Sequence, residues 1–300
     1  MEVVVAAGVM AVAAVAGATE RRRGHGPAGD PAGLPLLAVP PSPDLRPYVD
    51  QFWLGLGNAD AVFPVLPDGE IDLVIAVDRG RADAWLFGTT TMLCDVPLRA
   101  GAHYLGVRFR PGQARHFVVA PADALTNAQV EAWTQLGVDL AALPSRLARL
   151  GELLRAGATV APAVAALLAE LERLLRARLA RLQPDYDGFD RAIALLARPQ
   201  AASSPVRAAA EQCGRSLRQF ERVVSARVGV PARTLAGIAR FRGALGLIAG
   251  GAALADAAAA AGYADQSHMT YAFHTYAGMP PARLATAMSR FHKTAAAAAR

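Results

Sequence analysis

The stretch Leu254–Pro281, LADAAAAAGYADQSHMTYAFHTYAGMPP, decides the fold of the C-terminal third of the chain. Its alanine-rich first half predicts an amphipathic helix that stops at Gly262. Asp265 is expected to cap a second helix of about three turns, which ends at Gly278. Two short helices joined by a tight glycine turn are typical of a helix-turn-helix unit, so the sequence predicts one at residues 254–277.

A second candidate unit lies upstream, at Pro205–Gly229 (PVRAAAEQCGRSLRQFERVVSARVG). Ser204 is expected to cap its first helix. Gly214 permits a left-handed turn, and Ser216 is expected to cap the next helix, Leu217–Arg227. Two helix-turn-helix units in one chain favour DNA binding more strongly than one does.

Charge is unevenly placed along the chain. Residues 200–300 carry 12 Lys and Arg against 4 Asp and Glu, whereas residues 1–199 carry 19 against 21. A basic surplus confined to one part of the chain is typical of a nucleic-acid-binding module, although a solvated basic face is the alternative. The 300 residues, 53% of them hydrophobic, allow about two globular domains.

Residues 34–140 are predicted to form a β-rich sensor or dimerisation domain. Short apolar runs separated by turn signals predict a small β-barrel or sandwich, with strands at Gln51–Leu56, Ile71–Val77, Ala84–Phe87 and Tyr104–Phe109. Asp123 is a candidate cap for a short helix after these strands.

Two helices are predicted in a helical linker at residues 141–185, namely Pro144–Arg155 and Pro162–Leu182. One face of the second helix carries a row of leucines: Leu167, Leu168, Leu171, Leu174, Leu175 and Leu179. This row predicts either packing between domains or dimerisation.

Residues 1–33 are expected to be a disordered or mis-started extension. The apolar run Val3–Ala18 is followed, not preceded, by the arginines Arg21–Arg23, unlike a signal peptide. The run is also short for a membrane span of ~20 residues. A weak membrane anchor and an exported segment are the alternatives.

Residues 187–292 resemble the DNA-binding domain of AraC/XylS-type bacterial transcription regulators. The resemblance runs through AAAEQCGRSLRQFERVVSARVGVPARTL, the connecting segment RFRGALGLI and DAAAAAGYADQSHMTYAFHTYAGMPPARL. It implies an α+β protein: a cupin-like small β-barrel or sandwich, then an all-α DNA-binding domain at 186–293 with helix-turn-helix units at about 204–228 and 254–277. Pro280 departs from the family, which usually has Ser or Thr there.

Leu45–Trp133 resembles a β-rich domain found ahead of this DNA-binding domain in other bacterial regulators. The resemblance rests on RPYVDQFW, LPDGEIDLVI, LFGTTT and YLGVRFRPGQARHFV. In better-known relatives this position holds a barrel that binds a small effector. Glu70 stands where many such domains have Cys.

The DNA-contact candidates lie on the second helix of each unit. Arginine can bind a guanine edge and glutamine an adenine edge. The second helix of the second unit is uncharged at neutral pH, which predicts weaker phosphate attraction, and packing or backbone contact is an equal alternative for His268. The candidates are Ser216, Arg218, Gln219, Arg222, Gln266, Ser267, His268, Thr270, Tyr271 and His274.

No catalytic, metal or cofactor site is expected in the β-rich domain. His103 and His116 lack metal-ligand spacing, and no G-x-S-x-G motif occurs. Arg108 and Arg110 are candidates for binding an anionic effector, but structural pairing with Asp68 or Asp72 is the favoured alternative.

The sequence therefore predicts a cytoplasmic transcription factor of the AraC type that is not an enzyme and needs no cofactor. Its expected partners are double-stranded promoter or operator DNA, an unidentified small effector, RNA polymerase if it is an activator, and a second copy in a possible homodimer. The alternative is a sensor or enzyme-like β domain whose degenerate helix-turn-helix region serves protein interaction.

Overall fold

The computed structural model describes residues 36–56, 60–199 and 204–286. The predicted extension 1–33 lies outside these residues, as do residues 287–293 of the predicted DNA-binding domain. The strands are β1 Leu36–Val39, β2 Val49–Gly55, β3 Ala61–Val65, β4 Ile71–Asp78, β5 Arg81–Phe87, β6 Cys94–Leu98, β7 His103–Phe109 and β8 Gln129–Glu131. The α-helices are α1 Ala122–Leu125, α2 Leu143–Arg155, α3 Ala161–Leu182, α4 Gly188–Leu196, α5 Pro205–Gln212, α6 Leu217–Val228, α7 Ala232–Ala249, α8 Leu254–Ala260 and α9 Gln266–Ala277.

The strands form two antiparallel sheets. One has six strands in the order β1-β2-β7-β4-β5-β8, and the other pairs β3 with β6. The four strands predicted from the sequence correspond to β2, β4, β5 and β7. The predicted α+β class, a β domain followed by a helical region with two helix-turn-helix units, is confirmed.

One face of the six-stranded sheet packs against α2 and α3. Leu147 and Leu150 of α2 join Leu167, Leu171 and Leu175 of α3 in the core that the sheet's apolar side chains form. The predicted leucine row thus packs within the chain, onto the β domain. Burial of this continuous apolar surface is what holds the sheet and the two helices together.

The helix starts and turns of the C-terminal units follow local chemistry. Asp265 caps α9 by accepting from the amide of His268 at 2.7 Å, and Ser216 caps α6 by accepting from the amide of Gln219 at 3.3 Å. Gly214 and Gly262, at φ of 65° and 79°, make the left-handed turns.

Two predicted caps are wrong in detail. Ser204 occupies the N-cap position of α5, but its side chain makes no capping hydrogen bond. Pro121, and not Asp123, occupies the N-cap of α1. Asp123 lies inside the first turn, where its carboxylate interacts favourably with the helix dipole. Within the described ranges, no helix combines the length and the apolar character needed to cross a membrane.

Candidate DNA-binding surface and ligand cavity

The first candidate surface is the exposed face of α6. Phe220 and Val224 are fully buried beneath it, while Arg218 and Arg222 are exposed. Gln219 is exposed as well, but its side-chain oxygen accepts hydrogen bonds from the amide and hydroxyl of Ser216 at 3.2 and 3.1 Å. In this state Gln219 closes a capping box, so contact with adenine through both amide atoms requires it to leave the cap.

The second candidate surface is the exposed face of α9. Gln266, Ser267, His268, Tyr271 and His274 are exposed, and Tyr271 is 73% accessible. Thr270 is half-buried, and its hydroxyl donates to the carbonyl of Gln266 at 2.8 Å. That hydroxyl is therefore engaged within the helix.

His268 is held at the start of α9. Its Nδ1 lies 3.5 Å from the amide of Ala264, and its ring meets Tyr263 edge-on at 5.2 Å between centroids. This geometry favours the backbone-contacting alternative over a base contact for His268, because the ring is already positioned by its own turn.

Helix α7 joins the two units. Its Leu235 is buried in the core of the first unit, and Phe241 and Leu245 are buried in the core of the second. Phe241 contacts Phe273 of α9 at 4.8 Å between ring centroids. Since one continuous helix enters both cores, the exposed faces of α6 and α9 are held at a fixed separation.

The β domain contacts the C-terminal end of α6. The Thr89 hydroxyl donates to the carbonyl of Val228 at 2.8 Å, and the Thr126 hydroxyl donates to the carbonyl of Gly229 at 2.9 Å. The last carbonyls of a helix have no partner within the helix. Two threonines of the β domain therefore supply donors at the end of this helix.

The β domain also contacts the second unit. The amide of Leu93 donates to the carbonyl of Tyr276 at 2.9 Å, near the end of α9. Leu66, from the loop after β3, is buried in the same core as α7, α8 and α9. Both helix-turn-helix units are thus tied to the β domain in this structure.

A buried ionic cluster connects the sheet to α7. Arg108 lies 3.0 Å from Asp72, 3.5 Å from Glu70 and 3.7 Å from Asp68, and Arg242 of α7 lies 3.8 Å from Glu70. Burial raises the pKa of Glu70 to about 8, against the opposing effect of Arg108. Arg108 therefore has the structural pairing expected as the favoured alternative.

The second effector candidate, Arg110, follows the end of β7. Its guanidinium lies 3.1 Å from Asp50 and donates to the carbonyl of Arg46 at 2.6 Å. The structure does not bring Arg110 together with Arg108 as one anion-binding pair, because Arg108 lies within the sheet and Arg110 lies beyond it.

A second buried cluster, which the sequence did not indicate, joins the β domain to the first unit. Asp190 is fully buried and lies 2.7 Å from Arg227 of α6 and 2.9 Å from Arg115 of the β domain. Gln113 donates to the same carboxylate at 3.1 Å. These three side-chain donors and the backbone amide of Asp187, at 3.2 Å, compensate the desolvation of this carboxylate, which would otherwise be costly.

A cavity of about 180 Å³ lies between the six-stranded sheet and the β3–β6 pair. Its walls include Trp53, Trp85, Phe87 and Tyr104, and the carboxylates of Asp72, Asp78 and Asp83. Residues 88–94, here called the coupling segment, contribute Gly88, Thr90 and Cys94 to the wall. The same segment contains Thr89 and Leu93, which bind the two helix-turn-helix units.

Solved structures of ToxT from Vibrio cholerae are similar to this chain at low identity. A crystal structure of ToxT has 10% identity and a TM-score of 0.40, covering 79% of this chain and 96% of that one. ToxT bound to (E)-4-(8-methylnaphthalen-1-yl)but-3-enoic acid has 10% identity and a TM-score of 0.43, covering 79% and 97%. ToxT bound to an unsaturated fatty acid has 12% identity and a TM-score of 0.40, covering 77% and 93%.

Two family models match the chain, whereas no curated protein sequence does. Residues 37–131 match a domain of unknown function (DUF6597), and residues 209–287 match a helix-turn-helix domain. The second match covers most of both structural units and the residues that carry the AraC pattern. Residues 209–287 therefore carry an AraC-type helix-turn-helix domain, which follows an N-terminal domain of unknown function.

Proposed function

We propose that the protein regulates transcription by inserting α6 and α9 into successive major-groove segments on one face of a DNA duplex. The observation that carries this proposal is the pair of exposed polar helix faces joined by α7. At 18 residues, α7 is ~27 Å long. That length is comparable with the ~34 Å that separate adjacent half-sites one DNA turn apart.

The two helices are proposed to contribute differently. Arg218 and Arg222 on α6 supply positive charge for base edges and phosphates, whereas the exposed face of α9 offers Gln266, Tyr271 and His274. An exposed aromatic ring suits apolar contact with the thymine methyl group in the major groove. We therefore expect α6 to provide most of the salt-dependent affinity, and α9 to add base preference with little phosphate attraction.

We further propose that a small molecule in the cavity alters DNA binding through the coupling segment. The segment lines the cavity on one side and binds both helix-turn-helix units on the other. A ligand that displaces it changes the contacts of Thr89 with α6 and of Leu93 with the end of α9. A coupling free energy of ~1–3 kcal/mol would be sufficient for regulation.

We assign residues 34–140 to the ligand-responsive β domain and 186–293 to DNA binding. The helices of 141–185 support the sheet from its other face. A promoter-binding role implies a cytoplasmic protein that meets RNA polymerase if it activates transcription, and a homodimer is compatible with it.

The proposal is tested by measuring the affinity of the full-length protein for duplex DNA over a salt series. The double variant Arg218→Ala/Arg222→Ala is expected to lose affinity and to flatten the dependence of log K on log salt. Arg146→Ala, which removes an exposed arginine from α2, is the matched control. Binding that is weak, blind to sequence and equal in all three proteins would favour the protein-interaction alternative.

A further inference from the structure

The floor of the cavity has small residues at its centre, which leave space above the sheet. Val74 and Gly106 are directly opposite each other on β4 and β7, and Ala76 lies two residues further along β4 on the same face. Trp53 lies across Gly106, where an added Cβ atom would come within 1.9 Å of the indole ring. Small side chains at the centre and an indole ring at the side form an apolar slot.

The second wall of this slot is also aromatic. Trp85 is directly opposite Val74 on β5, and Tyr104 is directly opposite Ala76 on β7. Faces of indole and phenol rings carry negative electrostatic potential and attract cations within about 6 Å of the ring centroid. The walls therefore suit an apolar group that carries a positive charge.

The charged groups at the two ends of the cavity differ in whether they can bind a ligand. At one end Arg108 is committed to Asp72, through hydrogen bonds of 3.0–3.2 Å, and is unavailable to an anionic ligand. At the other end Asp83 is directly opposite Ala76, beside the aromatic slot. Asp78 lies two residues beyond Ala76 on the same strand face.

Asp83 and Asp78 have partners that compete weakly with a ligand. Asp83 lies 3.1 Å from Arg81 and Asp78 lies 3.8 Å from Arg79, but the arginine side chains are 79% and 91% exposed. Exposed ion pairs contribute little free energy. One further cation, the exposed Arg99, lies at the rim of the cavity.

We propose that the cavity binds a small organic ammonium ion whose apolar group, about the size of one ring, lies over Val74 and Ala76 while its ammonium group binds Asp83. A cavity of ~150 Å³ is already large enough to hold benzene. This ligand class differs from the anionic effector expected from Arg108 and Arg110. The inference rests on the proposed ligand response, because it names the chemistry of the molecule that would act there.

Three probes of nearly equal shape test the charge requirement: benzylammonium, benzyl alcohol and benzoate. Each is titrated into the full-length protein by calorimetry and by tryptophan fluorescence, since Trp53 and Trp85 line the cavity. Benzylammonium is expected to bind most tightly, and Asp83→Asn is expected to weaken it by about tenfold or more. Asp256→Asn, which removes an exposed carboxylate from α8, is expected to leave its affinity unchanged.

Thermal melting checks that Asp83→Asn is folded, and Asp83→Ser serves as the second variant if it is not. Equal or tighter binding of benzoate or benzyl alcohol, failure of all three probes to bind, or unchanged affinity in the folded variants would overturn the inference. Sequence-specific DNA binding without any probe would leave the DNA-binding proposal standing. A benzylammonium complex with unaltered DNA affinity would support the ligand class and reject the coupling.

Discussion

Replacing Thr89 with valine tests whether the β domain holds the end of α6. Thr89 is fully buried, and its hydroxyl donates to the carbonyl of Val228 at 2.8 Å. Valine has nearly the same shape, so the change removes one hydrogen bond and leaves a carbonyl without that donor. An unsatisfied buried acceptor costs about 1–3 kcal/mol.

Because this hydrogen bond joins the β domain to the end of α6, its loss weakens the contact between them. A loss of 1–3 kcal/mol corresponds to roughly a 5- to 150-fold shift of the equilibrium toward a state in which the end of α6 is detached from the β domain. Amide hydrogen exchange measures this shift. Amides in the last turn of α6 and in the coupling segment are expected to exchange faster in Thr89→Val, while those in the core of α3 stay protected.

Thr89→Ser is the matched control, because it keeps the hydroxyl and loses only a methyl group. Its exchange is expected to stay close to that of the wild type. If Thr89→Val and Thr89→Ser both match the wild type at the end of α6, the hydroxyl does not hold this helix and the coupling route through residue 89 is refuted.

Three further predictions concern the DNA surface, the ionic cluster and the cavity. Arg222→Ala is expected to cost about 1–3 kcal/mol of affinity at one base position if the side chain binds a base; a smaller loss, uniform across sequences, would mean that it contacts phosphate. Glu70→Gln should reduce the fall in melting temperature between pH 5 and 9. Burial raises the pKa of Glu70 from the ordinary 4.5 to about 8. The stability contributed by its protonated form is therefore fully present below pH 4.5 and is lost as pH rises through 8. An unchanged profile would contradict this. Gly106→Ala should displace Trp53, shift the tryptophan emission and destabilise the protein by about 1–3 kcal/mol. Gly246→Ala in α7, where an added Cβ meets nothing within 4 Å, is its control.

Features that depend on neighbouring residues were predictable from the sequence. Asp265 and His268 are three residues apart, so the cap of α9 follows from local chemistry. Strands β4 and β7 were also predicted, because their sequences are apolar runs, and the structure buries most of their residues. The exposure of Arg218 and Arg222 followed from the helical spacing of Phe220 and Val224.

Features that join distant residues were not predictable in the same way. Thr89 and Val228 are 139 positions apart, and Gln113 and Asp190 are 77 apart. Neither pair has a local spacing that indicates contact. β6 was missed because its sequence, CDVPL, is short, carries a proline and is mostly exposed. Its absence from the sequence prediction also hid the cavity.

The effector candidates illustrate the limit of strand alternation. Alternation puts Arg108 and Arg110 on one strand face, but only the register of β4 and β7 shows that Asp72 lies directly opposite Arg108. Alternation cannot show that Arg242, from a helix more than 130 residues later, approaches Glu70 in the same cluster. The charge available to a ligand is set by this tertiary arrangement.

Selection of DNA fragments by the purified full-length protein tests whether α6 and α9 contact one DNA duplex together. We expect an asymmetric motif with two half-sites whose centres are about ten base pairs apart. Arg218→Ala/Arg222→Ala should erase the preference in one half, and Gln266→Ala/Tyr271→Ala the preference in the other. A single half-site that α9 variants leave unchanged, or binding without any sequence preference, would contradict the claim that both units contact DNA together.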